Sequence, residues 1–108
     1  LDDIFERQKQ FQTLLMGGRN PAFNAAAIPL QVTSIVAELG EILEECQDWK
    51  PWRKNPPKTN FNLLLFEVVD LWHFVINLTL FLGFDAADVY EAFCAKNKEN
   101  FLRQEAGY

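Results

Sequence analysis

Apolar residues recur at intervals of three and four along most of the chain and nowhere alternate over a strand's length, so the pattern predicts helices and no strand. Four segments emerge. The first covers about Asp3 to Met16 and is stopped by the Gly17-Gly18 pair. Residues 17–28 read as a loop. The second begins near Pro29, well placed in a first helical turn, and runs to about Asp48. Its Val32, Ile35, Val36, Leu39, Ile42, Leu43 and Cys46 form an amphipathic stripe. The third starts near Asn60 or Asn62, either of which can cap it, and ends at Gly83. Asp85, with Asp88 three residues on, caps a fourth that continues to about Gln104.

The third helix is apolar nearly all round, from Leu63 through Phe66, Val69, Trp72 and Ile76 to Leu80. A helix of that kind has to be covered on every side, and three neighbours in so short a chain barely suffice. The expected architecture is therefore an all-α, four-helix bundle that dimerises, with one domain spanning residues 1–108. A membrane span is not expected, because Glu67, Asp70, His73 and Asn77 interrupt the apolar run and charge at mid-bilayer is costly.

Composition narrows the partners. The 15 acidic against 10 basic residues leave a net charge of −5, which argues against nucleic acid or an anionic membrane as partner. Cys46 and Cys94 are too few for a disulfide scaffold and read as reduced core residues, which with the absence of a secretory signal implies the cytoplasm. The chain begins at Leu1 rather than Met, as a trimmed one would.

The chemistry lies in two acidic pairs. Glu38 and Glu41 sit three apart and so share a helix face, with Glu45 one turn further and Glu44 pointing elsewhere. For an isolated pair the ordinary reading is a solvated face. Glu67 and Asp70 repeat the spacing on the apolar third helix, which offers no Lys or Arg to pair with them. Buried carboxylates without a counter-charge are costly, so four of them converging across a bundle call for a cation between them. An all-oxygen set suits Mg²⁺, with Mn²⁺ as the substitute, while a lone His73 with no partner His or Cys argues against zinc.

Such an ion completes its shell with phosphates. Cations for these stand in the loop at Lys50, Arg53, Lys54 and Lys58, and on the fourth helix Lys96, Asn100 and Arg103 form one ridge. Trp49, Trp52 and Phe74 offer flat surfaces for a base, although aromatics at helical spacing more often serve a core. Together these point to a nucleotide.

Glu38-x-x-Glu41, 25 intervening residues, then Glu67-x-x-Asp70 resembles the signature of the all-α nucleoside triphosphate pyrophosphatases, which include MazG-like enzymes and dCTP pyrophosphatases. ELGEILEE, WKPW, EVVDLWHFVINL and KNKENFLRQEAGY, in that order, are most similar to the dimeric dUTPases over the whole chain. The resemblance implies Mg²⁺-dependent cleavage between the α and β phosphates of dUTP, with dUDP also a substrate. It implies Glu38, Glu41, Glu67 and Asp70 as metal ligands and catalytic residues, with Glu41 orienting the attacking water. Lys96, Asn100 and Arg103 would hold phosphates, with Lys50 and Lys54 assisting. Phe74 and Trp49 or Trp52 would sandwich the base, and Gln8 or Gln12 would bond its edge.

Two departures stand out. The chain is shorter than most dimeric dUTPases, and its first helix, ERQKQFQTLL, lacks the Asn with which that family reads uracil. The base preference therefore stays open, with dCTP or a modified nucleotide as the alternative. A non-catalytic helical dimerisation module is the competing class, and a metal-storage bundle a third; carboxylate variants that lose turnover but keep the fold would separate an enzyme from both.

Overall fold

The computed structural model describes residues 1–17, 23–47, 49–55 and 58–107. Gly18 of the first helix stop, Asp48 at the expected end of the second helix and the terminal Tyr108 lie outside them. Among the described residues there is no strand, and four long helices appear where the pattern put them: α1 Asp2–Leu15, α2 Ile28–Glu45, α3 Phe61–Phe81 and α4 Ala86–Glu105.

The local chemistry explains their ends. Gly17 at φ +68° and Gly83 at φ +88° terminate α1 and α3 in a backbone region that other residues avoid. Pro29 occupies the first turn of α2. Of the two candidate caps for α3, Asn60 is the one used: its side chain accepts from the N–H groups of Asn62 and Leu63. Asp85 and Asp88 form a reciprocal capping box at α4. The expected loop before α2 holds one turn of tighter helix, Ala25–Ala27, capped by Asn24. The Asn24 N–H donates to the Phe81 carbonyl at 2.9 Å, tying the start of α2 to the end of α3.

That tie makes α2 and α3 an antiparallel hairpin, and their contact is the most extensive between helices. α1 crosses the second half of α3, where Phe5, Ile76, Leu80 and Ala86 form the apolar core with Val89 packed against it. Beyond this first stretch α4 leaves its neighbours: from Tyr90 to Gly107 every residue but Glu99 is exposed.

The hairpin departs from the amphipathic expectation. Along α2 the residues turned toward α3 are Gln31, Ile35, Glu38, Ile42 and Glu45, whereas Val32, Val36, Leu39 and Leu43 of the apolar stripe stay exposed. On α3, Leu64, Glu67, Asp70, Leu71 and Phe74 are partly buried while Leu65, Phe66 and Trp72 face outward. The helices thus pack along a polar edge of their stripes because the acidic pairs lie on it. Both α3 and the stretch Ala25–Glu45 are long and apolar enough to cross a bilayer, but the carboxylates fall mid-helix, facing one another. The chain exposes 8275 Å², against about 6,200 Å² for a compact monomer of its mass. Its radius of gyration is 17.6 Å, against about 13 Å for a closed domain of this length.

Candidate active site

Two turns from the connecting loop on either arm of the hairpin, the four acids meet. Glu38, Glu67 and Asp70 each bring one carboxylate oxygen within 4.8 Å of the others. Glu41, one turn beyond Glu38, lies close enough to Glu67 and Glu38 to raise both carboxyls. Carboxylates this close cannot all stay ionised. Hydrogen bonding to Glu41, then burial, then the charges of Glu41, Glu38 and Asp70 push the Glu67 carboxyl up to about 7. Glu38 is raised as well, by burial first and then by Glu41 and Asp70.

The set is under-satisfied in a telling way. Glu38 Oε2 and Glu67 Oε2 are buried and have no hydrogen-bond partner among the described residues. Among those residues the one ion pair to the cluster is from His73, whose Nδ1 stands 3.9 Å from Asp70 Oδ1, beyond hydrogen-bonding range. Four carboxylates, two orphaned oxygens and no Lys or Arg partner fit a hard divalent cation, and the absence of thiolate or paired imidazole does not fit zinc. Glu45 continues the same seam, half-buried, while Glu44 is exposed.

The loop after α2 folds back onto that helix. Gln47 Nε2 donates to the carbonyls of Leu43 and Glu44, and Trp49 Nε1 donates to Leu43, satisfying carbonyls a helix end leaves open. Arg53 donates to Gln47 Oε1 at 3.0 Å. Trp49 and Trp52 meet edge to face with centroids 5.8 Å apart, and Lys50 lies 5.2 Å over Trp49. Lys54 is exposed, and Lys58 borders a shallow cleft at the start of α3. The two tryptophans therefore pack on each other rather than around an open slot.

On α4, Lys96 and Arg103 both pair with Glu99, at 3.6 and 2.7 Å, and Asn100 is exposed beside them. A single chain does not lay this ridge along the acidic cluster, because α4 packs through its first turns alone. Phe74 is half-buried one turn past Asp70.

Gln8 and Gln12 are both buried on α1. Gln8 Nε2 donates to Asn77 Oδ1 of α3 at 2.7 Å. Two buried amides, Asn77 on α3 and Gln31 on α2, were not among the expected site residues. Gln31 precedes Glu38 by seven residues and Asn77 follows Asp70 by seven, two helical turns in each case, a spacing that gains meaning only once the packing of the helices buries both amides.

A helical hairpin joined by facing ExxE and ExxD pairs defines a class of all-α protein built around a cluster of four carboxylates. Residues 1–81 match the family model described as dUTPase, and the chain belongs to that family. It is similar to a dCTP pyrophosphatase of Enterobacteria phage T4, 46% identical over 40% of this chain and 25% of the relative. It is also similar to a dCTP pyrophosphatase of Enterobacteria phage LZ5, 33% identical over 56% of this chain and 41% of the relative. The chain thus spans less than half the length of either. No solved structure matches it.

Proposed function

We propose that the chain hydrolyses a deoxynucleoside triphosphate between its α and β phosphates with Mg²⁺, dUTP being converted to dUMP and pyrophosphate and dUDP to dUMP and phosphate. The observation that supports this reading is the convergence of Glu38, Glu41, Glu67 and Asp70 with two buried oxygens unsatisfied. A second reading, dCTP, is favoured by the names of the two phage relatives and by the Asn missing from α1.

In this reading Glu38, Glu67 and Asp70 hold the ion. When bound, Mg²⁺ neutralises the phosphates and lowers the pKa of a coordinated water. Glu41, the exposed member of the set beside Glu67, would orient the water for in-line attack. Lys96, Asn100 and Arg103 stabilise the departing phosphates once α4 lies alongside an acidic cluster. The uncovered Leu65, Phe66 and Trp72 of α3, and the surface in excess of a compact monomer, support a homodimer that buries them. Both cysteines are free, which suits the cytoplasm, although neither is a core residue: Cys46 is half-buried and Cys94 is exposed on α4, beyond the stretch that packs.

The test is pyrophosphate release with Mg²⁺ from dUTP, dCTP, dTTP, dATP and dGTP, with phosphate release from dUDP alongside. Turnover of dUTP and dUDP is expected. Turnover confined to dCTP selects the second reading. No release from any, or full release by Asp70→Asn, contradicts both.

A further inference from the structure

Glu38 of the acidic cluster has a polar neighbour on its own seam. Gln31 is 6% exposed, and its Oε1 has no hydrogen-bond partner among the described residues. Leaving a buried amide oxygen unpaired is costly, and buried polar groups without a protein partner point to one from outside. Two turns past Asp70, Asn77 is equally buried, and its Oδ1 is taken by Gln8. That bond fixes the amide and leaves the Nδ2 donors on its other branch. Because α2 and α3 run antiparallel, seven residues back from Glu38 and seven forward from Asp70 arrive at one level of the hairpin. That level is about 10 Å along the axes from the carboxylates.

Resting on the proposed reading that the carboxylates hold the phosphates through a cation, we infer that Gln31 and the Gln8-bonded Asn77 form the base-reading floor of the same site. The separation is one that a deoxyribose and a pyrimidine ring span together, and Phe74 stands half-buried between the two levels. A pyrimidine presents a donor and an acceptor side by side on its pairing edge. Gln31 Oε1 accepts from the imide N–H of uracil or the exocyclic amine of cytosine, and Asn77 Nδ2 donates to the adjoining O4 or N3. The position left empty by the Asn missing from α1 is thus filled from α3, with Gln8 setting its orientation.

Two variants separate reading the base from holding the fold. Gln31→Leu removes the orphaned oxygen and leaves the hairpin as stable as before or more so. Asn77→Asp keeps the Oδ1 that Gln8 needs and removes the donor. The assay measures KM for dUTP and dCTP beside KM for inorganic tripolyphosphate, which has no base, and equilibrium binding of dUMP and dCMP with Mg²⁺. Each variant is expected to raise the nucleotide KM about tenfold or more, weaken monophosphate binding in step, and leave the tripolyphosphate KM unchanged. Unchanged nucleotide KM and monophosphate binding in both variants, with the wild type active, overturns the inference and leaves the proposed function standing. An equal rise for tripolyphosphate overturns it too, as a structural effect. A wild type that binds no nucleotide removes the proposed function and this floor together.

Discussion

The two halves of α3 have opposite designs. From Ile76 to Phe81 it is a core helix: Ile76, Leu80 and Phe81 are buried, and Phe5 and Ala86 pack with Ile76 and Leu80. From Leu64 to Phe74 it buries carboxylates against α2 and leaves Leu65, Phe66 and Trp72 in solvent. Apolar burial is the dominant favourable term in folding, whereas clustered like charge opposes it. The second half thus holds the fold, and the first carries an arrangement that is unfavourable while its carboxylates have no counter-charge. Functional sites are where such local conflicts are expected.

The largest separation comes from single substitutions in each half. Asp70→Asn or Glu67→Gln is expected to cut pyrophosphate release about a hundredfold or more. Their metal-free melting temperature should hold or rise, as repulsion is relieved. Ile76→Ala, at a site 1% exposed, is expected to cost about 2–5 kcal/mol in urea unfolding. Both outcomes have to appear for the contrast to stand; an Asp70→Asn chain that unfolds, or an Ile76→Ala chain as stable as wild type, breaks it.

Much of this was legible in the residues. The helix ends followed from Gly17, Pro29, Asn60, Gly83 and Asp85, because capping chemistry is local. The four carboxylates could be brought together from their spacing and from the absence of a cation on α3. What did not follow was the rotation of α2 and α3 about their axes. A stripe of Val32, Val36, Leu39 and Leu43 reads as the buried face, and only the pairing of two helices shows the polar edge turned inward. Gln31 and Asn77 were hidden for the same reason, since a lone amide in a helix carries no signal until a partner helix buries it. The path of α4 was equally illegible: a ridge of Lys96, Asn100 and Arg103 has no address without tertiary contacts.

The pH dependence of the metal-free chain sharpens the contrast more gently. Glu67, raised from 4.5 to about 7, and Glu38, raised too, bind protons more tightly folded than unfolded. Their contribution is full below pH 4.5 and is lost as pH rises toward about 7. Asp85, at the mouth of the apolar half, is lowered from 3.8 by the backbone and side-chain hydrogen bonds of its capping box with Asp88. Its contribution is present above 3.8 and lost as pH falls below it. Urea unfolding in EDTA across this range should show the two trends, and Glu67→Gln should flatten the upper one alone. Smallest of all, Asn60→Ala removes the α3 cap and is expected to cost about 1 kcal/mol, without changing the order of the larger effects.

The most direct test is cation binding itself, followed by the electron paramagnetic resonance signal of free Mn²⁺ titrated into the metal-free protein above pH 7. Saturable binding that Mg²⁺ displaces, and that Asp70→Asn and Glu67→Gln both weaken severely while remaining folded, is the expected result. Binding that is absent from the wild type, or equally strong in both variants, contradicts the assignment of the hairpin's carboxylates as a metal centre.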